Sequence, residues 1–139
     1  GMVGVHTAER LAVAVRPTPR TVGRRARRVE VLLDRQLVLA IDKNRVVRIL
    51  HASSGAAATP TRLGDFAVYA KTPQWWSVPF GEWLPWSVRF DGGIAFHEYG
   101  SVPTVAASHG CVRLIPANAR WMFSFTGVGT KVRVVATSA

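Results

Sequence analysis

The sequence predicts a mainly β domain, an antiparallel β-sandwich or distorted barrel with one short helix. The chain has 139 residues, of which 48% are hydrophobic and 19% charged, which is enough apolar material for the core of a single domain. Beyond position 28 the apolar residues come in short runs rich in branched side chains, with turn residues between them, as is typical of strands. Only one segment has helical spacing. A disordered chain is thereby excluded, and no run reaches the ~18 apolar residues that a membrane span needs.

The first 27 residues are predicted to form a basic arm or linker, and residues 28–139 the domain. The chain carries 18 Lys and Arg against 8 Asp and Glu, a formal net charge of +10, which favours an anionic partner. Six arginines lie within residues 16–28 with no acidic residue among them, so we expect this stretch to have low order and to contribute little to the fold. Residues 11–15 are too short a run for the apolar core of a signal peptide, so the sequence shows none.

About six to eight strands are expected in the domain. A meander of three antiparallel strands opens it, at 29–33, 36–41 and 46–51. A loop of small residues follows, and residues 64–70 then alternate between apolar and polar side chains as a strand does. Further strands are predicted at 87–90, 94–96 and 131–135.

Two segments differ from this strand pattern. Residues 71–86 hold four of the five tryptophans but follow neither a helical nor a strand period, so they are predicted to be a long loop. Within this segment, the aromatic side chains of residues 75–86 would form a lid or groove wall, or else pack against the core. Residues 116–125 are the predicted helix, because Pro116 suits a first turn and Gly127 ends the apolar face.

The single cysteine, Cys111, is the first candidate for covalent chemistry. One cysteine excludes an internal disulfide framework and a multi-cysteine metal cluster. A nucleophilic cysteine needs a base nearby, and two histidines qualify. His109 lies two residues before it, and His97 ends a predicted strand that a neighbouring strand starting at Cys111 would meet. The backbone N–H groups of His109, Gly110 and Cys111 in a tight turn would form a nest for an oxyanion.

Two other interpretations of the same residues remain open from the sequence. Cys111 would also fit as a small buried hydrophobic residue, which is a frequent role of free cysteine. A zinc site built from His97, His109 and Cys111 lacks a fourth ligand with typical spacing.

These residues resemble a known family. The motif S-H-G-C-V-R-L, with A-F-H upstream and T-P-T-R-L-G-D-F before it, resembles the YkuD-type L,D-transpeptidase catalytic domain over about residues 29–135. The resemblance implies a sandwich-like, mostly antiparallel fold, and nothing in the sequence suggests a metal or organic cofactor. It also implies that Cys111 is the nucleophile, that His97 is its general base, and that the backbone carbonyl of Glu98 completes the triad.

The resemblance assigns roles to the neighbours of the cysteine as well. His109 and Gly110 are implied to line the site, and Ser108 to be a hydrogen-bonding neighbour. Arg113 is implied to anchor a substrate carboxylate or brace the site, the alternative being a buried arginine stacked on Trp121. Relatives often carry glycine or serine where this chain has Glu98, whose side chain would raise the pKa of His97 or steer an amine acceptor.

The implied activity is acyl transfer on peptidoglycan stem peptides, both donor and acceptor, through a thioester at Cys111. The implied location is extracytoplasmic, in the periplasm or cell wall, where the basic arm would bind anionic cell-wall polymer; nucleic acid is not the expected partner. Alternatives are an L,D-carboxypeptidase that uses the same site, and an inactive basic module that binds cell wall or nucleic acid. A peptidase of the papain type is disfavoured because its cysteine precedes its histidine.

Overall fold

The computed structural model describes residues 27–100 and 102–137, and within them nine strands and one helix. The strands are β1 Arg28–Leu32, β2 Leu37–Asp42, β3 Arg45–His51, β4 Gly64–Ala67, β5 Ala70–Ser77, β6 Glu82–Asp91, β7 Ile94–Glu98, β8 Val112–Leu114 and β9 Lys131–Val135. The helix is α1, Pro116–Phe125. The predictions for residues 1–26 lie outside the described residues.

The strands form two sheets. One has five strands in the order β3-β2-β1-β9-β4, and the other has four in the order β5-β6-β7-β8. The predicted mainly β sandwich with one short helix is confirmed. The sheets are mixed rather than purely antiparallel, because β1 pairs with β9 and β7 with β8 in parallel, and among the described residues neither sheet closes into a barrel. The parallel β7–β8 pair brings the start of β8 beside the middle of β7.

Both sheets and the helix share one core. Val31 from the first sheet, Phe90 and Phe96 from the second and Met122 from the helix all belong to one buried cluster. A smaller cluster around Leu39 occupies the opposite face of the first sheet. Since alternate residues of a strand face opposite sides and both faces are covered here, β2 is a nearly continuous apolar run, whereas β1 places the charged residues Arg28 and Glu30 on one of its buried faces.

The helix begins and ends where the sequence predicts. Ile115, in extended conformation, precedes Pro116, which needs no N–H partner in the first turn. Ala119, Met122 and Phe125 form its buried face. In the described part of the chain, no helix is long and apolar enough to cross a membrane.

The predicted loop at 71–86 is wrong, because this segment is a hairpin of β5 and β6 with a short turn. Trp76 and Trp83 face each other across the two strands, with their rings 5.2 Å apart in a T-shaped pair. Pro73 lies in β5, an edge strand, where a missing N–H removes no hydrogen bond to a further strand. Trp86 has a φ of 56°, which interrupts the alternation of β6. Cross-strand pairing therefore outweighs an irregular sequence pattern.

The last two arginines of the basic run contact the domain. Arg28 is buried in β1, where it donates a hydrogen bond to the Asn44 side chain and its Nε lies 3.7 Å from the carboxylate of buried Glu30. Arg27 donates to the carbonyl of Phe125. The expectation that this run has low order and contributes little to the fold is therefore wrong for Arg28, which is buried with a carboxylate and an amide beside it.

The small-residue loop after β3 holds the segment that leads to the cysteine. Ser53 and Arg113 exchange two backbone hydrogen bonds, of 3.1 and 2.9 Å. The carbonyl of Ser54 accepts from the N–H of Ser108, and the carbonyl of Ser108 accepts from the N–H of Ala56. These bonds, which we call the loop clamp (residues 53–61 on 107–113), fix the backbone on both sides of Cys111.

Gly55 lies at the point of the loop clamp where no side chain fits. A Cβ added there would lie 2.1 Å from the Thr59 carbonyl oxygen and 2.6 Å from the Thr61 nitrogen, both of them backbone atoms. We expect Gly55→Ala to lower the free energy of unfolding by about 1–3 kcal/mol, measured by urea denaturation, because the backbone must shift to accept the methyl group.

Gly127→Ala is the matched control for this change. No heavy atom lies within 4 Å of a Cβ added at Gly127, so its free energy of unfolding should change by less than about 0.5 kcal/mol. Equal stability of the two variants would show that the loop clamp yields easily and would contradict the prediction.

Candidate active site

The turn before Cys111 is closed by one hydroxyl. Ser108 donates its O–H to the carbonyl of Cys111 and accepts from the N–H of Gly110 at 3.1 Å. The Thr61 hydroxyl donates to the Gly110 carbonyl at 2.6 Å. Gly110 has a φ of +126°, a conformation that favours glycine, and a Cβ there would lie 2.7 Å from the end of the Ile94 side chain, which would have to shift.

Cys111 is largely buried, with 8% of its surface exposed. Its Sγ lies 3.6 Å from the carbonyl oxygen of Gly93, at the turn that leads into β7. Burial raises the pKa of the thiol, whereas a hydrogen bond from the backbone of Ala95 and the charge of Arg113 lower it by less. The resting group is therefore a thiol, and it needs a base to become a nucleophile.

His97 is buried near the end of β7, with 3% of its surface exposed. Its Nδ1 lies 2.7 Å from the carbonyl oxygen of Glu98. A carbonyl only accepts, so Nδ1 carries the proton and Nε2 of the neutral ring has a free lone pair. Burial lowers the pKa of His97, the Glu98 hydrogen bond raises it, Arg113 lowers it and Glu82 raises it, in decreasing order. The imidazole is therefore neutral and ready to accept a proton at Nε2.

The other candidate base, His109, has a different environment. It is exposed, and its ring stacks on Phe80 with the centroids 4.9 Å apart. No carbonyl fixes its tautomer among the described contacts, in contrast to His97 and Glu98. The structure thus distinguishes the two histidines that the sequence left as alternatives.

Arg113 stacks on a tyrosine. Its guanidinium carbon lies 3.9 Å from the centre of the Tyr99 ring. The alternative partner suggested by the sequence, Trp121, is instead covered by Arg48 at 4.6 Å. Arg113 is therefore held at the site by cation–π contact and by the backbone bonds of the loop clamp.

A pocket of about 230 Å³ joins these groups. Its lining consists of Phe80, Glu82, Leu84, His97, Tyr99, Ser108, His109, Cys111 and Arg113. The hairpin of β5 and β6 supplies the first three, so part of the tryptophan-rich segment is a groove wall. Trp86 instead packs against Phe123 of the helix, with the rings 5.2 Å apart, and takes the core role that was the alternative.

Sequence reasoning missed three of the pocket residues and misjudged one backbone donor. Glu82, Leu84 and Tyr99 carry no motif, and only the hairpin register and the loop after β7 bring them to the cysteine, whereas Phe80 belongs to the aromatic segment predicted as a groove wall. The N–H of Gly110, predicted as part of an oxyanion nest, donates to the Ser108 hydroxyl and faces into the turn.

The acidic group beside the pocket also differs from the expected one. The backbone carbonyl of Glu98 accepts a hydrogen bond from His97, but Glu98 does not line the pocket. Glu82 does line it. In the described ranges, no group of three or more His, Cys, Asp or Glu is placed to hold a metal ion, and this includes the trio of His97, His109 and Cys111.

Comparison with known proteins identifies the family. The model of the YkuD family, the L,D-transpeptidase catalytic domain, matches residues 26–134, which is most of the chain. The chain belongs to the L,D-transpeptidase catalytic-domain family. The resemblance seen in the sequence motifs is thereby confirmed.

Solved L,D-transpeptidases share the fold of this domain. One from Xylanimonas cellulosilytica is 35% identical with a TM-score of 0.73, and the match covers 96% of this chain and 71% of that one. Another, from Stackebrandtia nassauensis, has a TM-score of 0.77 at 23% identity and covers 83% of this chain and 58% of that one. A third, solved in complex with imipenem, has a TM-score of 0.71 at 24% identity over 79% of this chain and 59% of that one.

This L,D-transpeptidase domain is shorter than the proteins it resembles. It spans 58% of the Stackebrandtia nassauensis chain. No curated protein sequence matches it. The 23% and 24% identities establish the common fold only.

The neutral state of the Cys111–His97 pair in this L,D-transpeptidase domain gives a pH prediction. Because burial raises the pKa of Cys111 and lowers that of His97, thiol and imidazole are both uncharged near neutral pH. We expect the rate of alkylation by iodoacetamide to rise through neutral pH, with its midpoint above the ~8.5 of a free cysteine.

Alkylation of the urea-unfolded protein is the control, and it should titrate near the ordinary value. A rate that reached its plateau below pH 7 in the folded protein would show a resting thiolate–imidazolium pair and would contradict the assignment.

Proposed function

We propose that this domain is a cysteine-dependent L,D-transpeptidase that cross-links peptidoglycan stem peptides through a thioester acyl-enzyme. One observation carries the proposal: the Cys111 thiol and the His97 imidazole, with Nδ1 fixed on the Glu98 carbonyl, open to the same pocket. Membership of the family supports the same conclusion.

Acylation begins with proton transfer to His97. Nε2 takes the proton of the thiol while Sγ attacks the carbonyl carbon between an L-centre and a D-centre of the donor stem. Because the Gly110 N–H is engaged with Ser108, we assign stabilisation of the oxyanion to the N–H groups of His109 and Cys111. The C–N bond then breaks, His97 returns its proton to the departing D-amino acid, and the thioester remains.

The second half of the reaction releases the enzyme. An amine of a neighbouring stem attacks the thioester, His97 takes a proton from it, and the sulfur leaves and is reprotonated. Arg113, held on Tyr99 at the pocket, is suited to a carboxylate of the stem peptide. If water replaces the amine, the same groups perform L,D-carboxypeptidase chemistry. An inactive binding module would not need a base with a fixed tautomer beside a buried thiol.

Acylation by a carbapenem tests this assignment. Imipenem should add one covalent mass to the wild type and none to Cys111→Ala, measured by intact-protein mass spectrometry.

The rate of acylation tests the two histidines. His97→Ala should slow acylation by about 10²–10⁴-fold, because proton transfer from the thiol is lost. His109→Ala should slow acylation less. The His109 ring stacks on Phe80, and within the described contacts it has no backbone acceptor that fixes its tautomer.

The order of the two histidine variants decides their roles. A larger loss for His109→Ala would mean that the histidines are wrongly assigned. A folded wild type that forms no adduct, with circular dichroism as the check on folding, would favour the inactive binding module instead.

We further propose an extracytoplasmic location in which the basic segment binds anionic cell-wall polymer. Of the six arginines within residues 16–28, Arg27 and Arg28 contact the domain. The other four, Arg16, Arg20, Arg24 and Arg25, lie in residues 1–26. Their charge would draw the enzyme to carboxylate- and phosphate-rich wall by an attraction that salt screens over ~8 Å at physiological ionic strength.

Replacing those four arginines with glutamine tests the tether without shortening the chain. Binding to isolated sacculi in pull-down assays should fall and lose most of its salt dependence, since the charge is removed. The rate of imipenem acylation and the melting temperature should remain near those of the wild type. A large fall in melting temperature would show that the segment belongs to the fold and would contradict the tether.

A further inference from the structure

Glu82 is placed at the pocket by the register of the hairpin. It pairs with Ser77 across β5 and β6, one position nearer the turn than the Trp76–Trp83 pair. Alternate residues of a strand face opposite sides, so Glu82 and Leu84 line the pocket while Trp83, 58% exposed, faces away from it. The carboxylate is thus held by a paired strand rather than by a free loop.

The pocket contains one charge of each sign. Glu82 is on β6, Arg113 on β8, and His97 on β7, the strand between them. Their electrostatic effects on His97 have opposite signs, so both charges lie within reach of the same imidazole. The Arg113 guanidinium stacks on the Tyr99 ring, and no hydrogen bond or salt bridge within the described residues involves the Glu82 carboxylate.

A carboxylate in the pocket affects the two halves of the reaction differently. In the donor stem the reacting nitrogen is an uncharged amide, which gains nothing from a negative charge nearby. The acceptor arrives as an ammonium ion, which a carboxylate attracts and binds with charge-assisted hydrogen bonds. Aminolysis is the reverse of acylation, so the acceptor nitrogen approaches the thioester from the position that the departing amine left. A carboxylate that lines the same pocket as Cys111 and His97 therefore favours an ammonium-bearing acceptor over water.

We propose that Glu82 forms an ammonium subsite that selects a cationic primary amine as acceptor and thereby directs the acyl-enzyme to transpeptidation rather than hydrolysis. The inference rests on the proposed function and adds a specificity-determining residue to it. Arg113 complements the subsite, because an acceptor that carries a carboxylate as well as its amine also presents the opposite charge.

Aminolysis at this subsite consumes the bound ammonium ion and regenerates the thiol. The ammonium bound at Glu82 releases one proton to solvent, and the freed nitrogen lone pair attacks the thioester carbonyl carbon. His97 takes a second proton from the nitrogen as the C–N bond forms. The C–S bond breaks, and the Cys111 sulfur leaves with the proton that His97 returns. The products are an amide and the free thiol.

Partition of the acyl-enzyme measures the subsite directly. The full chain is given a tetrapeptide donor with Nα-acetyl-D-lysine as the amine probe, and the ratio of aminolysis to hydrolysis is read by mass spectrometry. We expect Glu82→Gln to lower this ratio about tenfold, because a charge-assisted hydrogen bond is lost. Glu82→Asp keeps the negative charge, so its ratio of aminolysis to hydrolysis should stay close to that of the wild type. Both fates of the acyl-enzyme use His97, so a mere shift in its pKa cancels in the ratio.

Asp91→Asn is the matched control, because Asp91 lies at the other end of β6, pairs with Arg62 and is not part of the pocket lining. The ratio of aminolysis to hydrolysis in Asp91→Asn should equal that of the wild type.

Imipenem acylation of each variant separates the ammonium subsite from the transpeptidase assignment. Normal acylation of Glu82→Gln with an unchanged ratio would overturn the subsite and leave the transpeptidase assignment intact. A folded wild type that is not acylated would overturn both, and loss of the ratio in Glu82→Asp as well as Glu82→Gln would count against an electrostatic role.

Discussion

The loop clamp is the constraint on which the site depends. Cys111 lies on a turn before a strand of only three residues, β8, which by itself could not fix a side chain. The backbone bonds between residues 53–61 and 107–113 hold this turn from one side, and the parallel pairing of β8 with β7 holds it from the other. The Ser108 hydroxyl then closes the turn from within. The thiol is therefore fixed by main-chain bonds that distant parts of the sequence supply.

Burial determines the electrostatic state of the pair. Charged forms are disfavoured in a low-dielectric environment, so Cys111 and His97 rest as neutral groups. The Glu98 carbonyl fixes the tautomer that leaves the free lone pair on Nε2. In the proposed mechanism, proton transfer to His97 therefore accompanies attack of the sulfur on the substrate carbonyl. Arg113 and Glu82 add one charge of each sign to an otherwise uncharged centre.

The tryptophan-rich hairpin links the core to the pocket. Trp86 packs on the helix, Trp76 and Trp83 pair on the outer face, and Phe80 reaches over to stack on His109. One side of the hairpin thus stabilises the second sheet while the other side forms the wall of the site. A segment with this double role cannot show a simple period, since its residues face three different environments.

The sequence by itself determined the fold class, the helix Pro116–Phe125, and the motif that marks Cys111 as the centre of the site. Apolar spacing, a proline in the first turn and short motifs act over a few residues, so they can be read locally. Tertiary structure alone decided that His97 rather than His109 has its tautomer fixed, and that Glu82 rather than Glu98 lines the pocket. These outcomes depend on which strands become neighbours and in which register, and pairing energies between residues far apart in the chain set that register.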